Sequence, residues 1–90
     1  MNDNEKLDKA FDLCCNAIKN STLEVNDIKK LLLYGLFKQA KNGDCNTDRP
    51  SMLSGIKEQY KWDSWNNQKN KTSKEAKQEY IKTVKDLLKD

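Results

Sequence analysis

Apolar residues return at helical spacing in four separate stretches of the chain, and nowhere do they alternate with polar ones as a strand requires. Leu7, Ala10, Phe11, Cys14, Ala17 and Ile18 form the first stripe, enough for about four turns of helix. On that face Cys14 reads as a small buried hydrophobe. The segment NSTLEVND then breaks the pattern. Asn26 or Asp27 is placed to cap a second helix, which runs to about Lys41 and stops at Asn42-Gly43. A third helix is predicted over roughly residues 55–68. Thr72 and Glu75 have capping-box spacing and open a fourth, with the stripe Ala76, Tyr80, Ile81, Val84, Leu87 and Leu88. The expected fold is an all-α four-helix bundle, forming one domain over residues 1–90. Between the second and third helices GDCNTDRPSMLS has no usable periodicity. A crossover that long lets two helices run parallel, which a short turn cannot do, and long loops in small domains are also often functional.

The second helix carries two stripes where a surface helix needs one. Ile28, Leu32, Gly35 and Leu36 share one face and read as core. Tyr34, Phe37, Lys38 and Lys41 follow the same spacing on roughly the opposite face. Two readings stand side by side. The second face packs on another helix with its lysine stems laid over it, or it meets a ligand that wants rings and cations. The same mixture recurs in QYKWDSWN, where Lys61 lies among Tyr60, Trp62 and Trp65, and both tryptophans of the chain fall three residues apart. Taken alone, Trp62, Trp65 and Tyr80 are more often core than contact.

Composition narrows the chemistry. Ninety residues with 36% hydrophobic and 34% charged side chains leave a lean core and a wet surface. A net charge of +3, with Arg49 the sole arginine, is thin for a nucleic-acid binder but suits a small anionic ligand. Histidine is absent, which removes the commonest general base and the usual nucleophile triads. No zinc site is expected, because there is no CxxC pair either. Three cysteines, two of them adjacent, make no disulfide framework and point to a reducing, cytoplasmic setting. The opening MNDNEKLDKA lacks the basic and apolar blocks of a signal peptide, and LLLYGLF is far too short to span a bilayer.

LLYGLFKQAKNGD, NTDRPSML, KWDSWN and SKEAKQEYIKTV, in this order, resemble the acyl-CoA-binding protein family. Several unlike motifs agree in order and spacing from about residue 30 onward, and the first helix matches more loosely. The resemblance implies an up-down-down-up bundle that binds medium- to long-chain fatty acyl-CoA esters and carries them without chemistry. It implies that the stretch Tyr34, Gly35, Leu36, Phe37 and Lys38 walls the nucleotide site. Lys38 and Lys61 would hold the ribose 3′-phosphate, with Tyr34 assisting and Tyr80 contributing from the last helix. Trp62 would line the ligand side, and Trp65 belongs to the core.

The chain departs from the family pattern in three places. Phe37 stands where a tyrosine is common, so a ring survives without its hydroxyl. Cys15 falls near the position of a first-helix lysine, for which Lys19 is the alternative. MLSGIKEQYKW is one residue longer than the common form, which leaves Lys57 unassigned and Lys61 aligned. The expected role is therefore a monomeric intracellular carrier and pool buffer in fatty acid metabolism. It would have no cofactor, no catalytic residue, no nucleic-acid partner and no stable membrane insertion, with acyl-CoA-using enzymes as recipients. The competing reading is a helical protein-interaction module with no preference for CoA.

Overall fold

A computed structural model describes residues 2–21 and 24–89, so the centre of the NSTLEVND break, at Thr22 and Leu23, lies outside the described residues. The described residues form four α-helices: α1 (Asp3–Asn20), α2 (Asp27–Asn42), α3 (Ile56–Asn66) and α4 (Ser73–Leu88). No strand occurs among the described residues. Each long helix begins on a polar cap. The Asn2 side chain accepts from the Glu5 amide, and Asn26 does the same for Lys29. At α4 the capping box is complete, with Thr72 and Glu75 bonded reciprocally. α3 is shorter than the periodicity predicts. Gly55, at φ 102°, caps its start, and a 3-10 turn over Met52–Ser54 precedes it.

The pairings fix the directions. Lys77 of α4 bonds Asp8 of α1, and Tyr80 meets Phe11 edge-on at 5.0 Å, so these two helices rise together. The Ser73 hydroxyl donates to the Ala40 carbonyl, joining the start of α4 to the end of α2, so α2 descends. Lys61 lies over Tyr34 and Lys38 over Trp65, which makes α3 run in the sense of α2. The bundle is up-down-down-up.

Phe11, Leu33, Leu36, Ala40, Ala76, Tyr80 and Val84 form the core, with Cys14, Cys15, Ile18, Leu32, Ile81 and Leu87 packed against it. Three residues expected on apolar stripes are elsewhere, Leu88 near the end of α4 among them at 45% exposure. Ile28 is 78% exposed, because the first turn of α2 faces an open cleft beside α3 while Leu33 turns into the bundle instead. Ala17 is also exposed, one residue before the end of the α1 stripe.

α2 and α3 approach so closely at Gly35 that a Cβ there would stand 2.2 Å from the Ser64 carbonyl oxygen. The long crossover is fastened to α3 along its length. Arg49 makes two 2.9 Å bonds to the Asp63 carboxylate. The Trp62 indole N–H donates to the Thr47 carbonyl, the Trp65 N–H to the Gly43 carbonyl, and Gln59 to the Pro50 carbonyl. The crossover therefore serves topology, as a parallel pair requires. Behind it the buried Gln39 amide donates to both Asp44 and the Lys71 carbonyl, tying the end of α2 to the turn before α4.

Two predictions follow from this packing. Gly35→Ala forces α3 off α2 and should cost about 1–3 kcal/mol, an overpacking penalty at a site where the opposing atom is backbone. Urea melts would detect it, and an unchanged midpoint would show that the two backbones are free to part. Secondly, three carboxylates are held below their ordinary range by donors: Asp44 by Gln39 and then the Asn70 amide, Asp63 by Arg49, and Glu75 by the Thr72 backbone and hydroxyl. A depressed folded-state pKa contributes stability that is complete above the unfolded value and is lost as pH falls. Thermal stability should stay level from neutral pH to about 5 and decline below about 4. Asp63→Asn should remove part of that decline, and a melting temperature unchanged down to pH 3 would contradict the assignment.

Candidate functional site

The two stripes of α2 end up serving different neighbours. Leu33, Leu36 and Ala40 face the core, whereas Phe37 leans back on α1, stacked on Phe11 at 6.0 Å and 21°. Lys41 follows it, its ammonium 5.5 Å from the Phe11 ring. Tyr34 and Lys38 turn the other way, toward α3. The packing reading thus holds in part: Phe37 packs on Phe11, yet remains 37% exposed.

Along the α2–α3 seam the chemistry is reciprocal. α2 presents an aromatic and then, one turn later, a lysine: Tyr34 and Lys38. α3 presents a lysine and then an aromatic: Lys61 and Trp65. The Lys61 ammonium lies 5.0 Å from the Tyr34 ring, and the Lys38 ammonium lies 4.6 Å from the Trp65 ring. Two cations are thereby stationed at the partly open edge of one seam. Lys61 is also 3.5 Å from Glu58, an exposed i, i+3 pair that holds it weakly.

Beside the seam a groove of about 440 Å³ opens between α1, α2 and α4. Ile18, Val25, Leu33 and Phe37 supply its apolar wall, and Tyr34 and Tyr80 its hydroxyl-bearing rings. Ser21 and Lys30 also line it, and no carboxylate belongs to it among the described residues. Tyr34 is common to groove and seam, so the cations and the apolar wall form one continuous surface.

Tyr80 is nearly buried, and its hydroxyl hydrogen-bonds the Cys15 thiol. Burial first, and then that bond, push the Tyr80 hydroxyl well above its ordinary pKa. Burial also raises Cys15, against the opposing effect of the Tyr80 bond, so both groups stay protonated at neutral pH. The α1 position where a lysine was expected is therefore filled by a thiol paired to Tyr80. Lys19, the alternative, is exposed and lies outside the groove wall.

The residues expected from the sequence divide. Tyr34, Phe37, Lys38, Lys61 and Tyr80 are brought together at seam and groove. Gly35 and Leu36 are not: Gly35 is pressed against Ser64, and Leu36 is wholly buried among core side chains, so neither offers surface to a ligand. Trp62 also lies outside the groove wall, its indole N–H occupied by the Thr47 carbonyl, whereas Trp65 is buried at 6% exposure. Lys30 was missed, although it continues the Tyr34–Lys38 stripe backward at the same i, i+4 spacing. Ile18 and Val25 were not anticipated as wall, because the linker that positions Val25 has no periodicity. No group of three or more His, Cys, Asp or Glu side chains could hold a metal ion among the described residues.

An all-α bundle with a basic, aromatic seam beside an apolar groove is a framework for holding an anionic amphiphile. The profile described as "Acyl CoA binding protein" matches residues 8–84, and the chain belongs to that family. It is 42% identical over 84 residues to acyl-CoA-binding protein homolog 3 of Caenorhabditis elegans, covering 93% of this chain and 72% of that one. Identity to the acyl-CoA-binding protein homolog of Drosophila melanogaster is also 42%, over 87% of this chain and 90% of the other. In three dimensions it superposes on the crystal structure of Oryza sativa acyl-CoA-binding protein 2 with a TM-score of 0.88. That match has 38% identity and covers 94% of this chain and 91% of that one.

The two tryptophans should respond differently to truncation. Trp65→Ala empties a buried position and should cost about 3–5 kcal/mol. Trp62→Ala should cost less, since that ring is partly exposed and chiefly anchors the crossover. Equal losses in thermal melts would mean that the crossover is as much a part of the core as the Trp65 ring.

Proposed function

We propose that this protein binds medium- to long-chain fatty acyl-CoA esters and acts as their intracellular carrier and pool buffer. The observation that carries the reading is the crossed pair of lysines and aromatics opening onto an apolar groove whose described lining holds no carboxylate. A fatty acyl-CoA is itself divided in this way. Its nucleotide bears phosphates and a flat base, and its chain gains about 0.8 kcal/mol per methylene shielded from water. Lys38 and Lys61 take the ribose 3′-phosphate, Tyr34 closes that subsite, and the Tyr80 hydroxyl contributes from α4. The acyl chain follows the apolar wall.

Binding without turnover is the role, since the site combines cations, rings and aliphatics and has no activated nucleophile. Cys15, the thiol nearest to it, is kept protonated by burial. Support for a cytoplasmic setting comes from Cys14, Cys15 and Cys45, all free thiols. No helix among the described residues is long and apolar enough to cross a membrane. A monomer that hands its cargo to acyl-CoA-using enzymes completes the proposal.

Calorimetric titration with palmitoyl-CoA, CoA and palmitate tests it. Palmitoyl-CoA should bind tightly and palmitate poorly. Lys38→Ala should weaken palmitoyl-CoA by tenfold or more, about 1.4 kcal/mol. Stability should change by no more than the ~0.5–1 kcal/mol of an exposed cation–π contact. Palmitoyl-dephospho-CoA, lacking the 3′-phosphate, should bind wild type more weakly by about 1.5–3 kcal/mol, the worth of a charge-assisted hydrogen bond. Tyr80→Phe should lose affinity while palmitate is little affected. If palmitate and palmitoyl-CoA bind alike and Lys38→Ala alters neither, the nucleotide site is wrong and an interaction module becomes the better description.

A further inference from the structure

The lysines around this site are mostly committed. Lys38 rests over Trp65, Lys41 over Phe11 and Lys61 over Tyr34. Lys71 is paired to Glu79, and Lys77 to Asp8. Lys30 differs. It lines the groove together with Tyr34 and Tyr80, and no carboxylate or ring holds it among the described residues. Since no carboxylate lies in the groove wall among the described residues, none there neutralises the charge of Lys30.

Its position is as telling as its freedom. Lys30, Tyr34 and Lys38 succeed one another at i, i+4 and i+8, so Lys30 lies one turn nearer the start of α2 than the ring shared by seam and groove. That separation, about 5–6 Å between Cβ atoms, places it on the far side of Tyr34 from Lys38. A CoA head has phosphorus in two places: the monoester on the ribose, and the diphosphate that joins the ribose to the pantetheine arm. One cation cluster at the seam accounts for the first of these only.

We infer that Lys30 is a specificity-determining contact for the ligand's diphosphate, separate from the phosphate subsite of Lys38 and Lys61. This rests on the acyl-CoA reading and extends it. The lysine stem lies along the apolar wall while the ammonium faces the anion, a division that a long flexible cation makes readily. Lys30 thus marks where the polar half of the ligand hands over to the apolar half, and it favours CoA thioesters over uncharged acyl thioesters.

Three ligands separate the possibilities by calorimetry: palmitoyl-CoA, palmitoyl-dephospho-CoA, and S-palmitoyl-pantetheine, which has no phosphate. Lys30→Gln should weaken palmitoyl-CoA by about tenfold or more, the scale of one charge-assisted bond. The same factor should appear with palmitoyl-dephospho-CoA, because the diphosphate remains. S-palmitoyl-pantetheine should bind both proteins alike, and Lys30→Arg should recover most of the affinity. Lys38→Ala, in contrast, should lose most of its effect on the dephospho ester. The inference is overturned if Lys30→Gln leaves palmitoyl-CoA binding unchanged. It is overturned equally if the effect vanishes with the dephospho ester, which would put Lys30 on the ribose phosphate, or if it persists with the pantetheine, which would make it a packing residue. Failure of wild type to bind palmitoyl-CoA would instead reject the functional reading itself.

Discussion

The Gly35 α-carbon stands where α2 and α3 are nearest, with the Ser64 carbonyl filling the space that any side chain would need. Everything at the seam depends on that approach. Across that contact Lys61 meets the Tyr34 ring and Lys38 the Trp65 ring. The contact also sets the level of the two helices, aligning residue 34 with 61 and 38 with 65. α3 is held from its other side by the crossover, whose Arg49, Thr47 and Pro50 bond to Asp63, Trp62 and Gln59. A glycine that looks like part of a binding motif is thus the condition for that motif, at one remove from any ligand.

The fold was largely legible because its signals are local. Helical stripes, the Asn26 cap, the Thr72–Glu75 box and the length of the crossover each act over a few residues, and each appears where expected. The failures share a cause. Ile28 and Ala17 continue apolar stripes, but a stripe shows only that one face is apolar, not how far the neighbouring helix extends to cover it. Leu33 was hidden for the same reason, since it lies between the two stripes and is buried only because α1 and α4 close on that side. The candidate site was legible where ring and cation sit at fixed spacing on one helix, as Tyr34 and Lys38 do. It was illegible where the linker bends Val25 over the groove, and where Trp62 spends its N–H on a loop carbonyl fifteen residues earlier.

Both tryptophans of KWDSW are fasteners before they are anything else. An indole N–H buried without a partner is costly, so each one finds a crossover carbonyl, and the ring it belongs to then pins the loop against α3. This explains why they lie three residues apart, on neighbouring positions of the same helix face, one gripping Gly43 and the other Thr47. The Trp65 ring has a second duty, because its face supports the Lys38 ammonium.

That resting arrangement bears on how an anion would be admitted. A cation held over an aromatic face at a partly exposed position is stabilised by about 0.5–1 kcal/mol, whereas a charge-assisted bond to a phosphate contributes about 1.5–3. The rings therefore keep the ammonium groups near the seam without holding them too strongly to surrender. They restrict where long lysine side chains wander, which lowers the ordering cost when a ligand arrives. A carboxylate in place of either ring would do the opposite, neutralising the charge and competing with the phosphate. Under the proposed function, the absence of acidic side chains from the described groove wall and the aromatic rests at the seam act together, leaving the lysines charged and available.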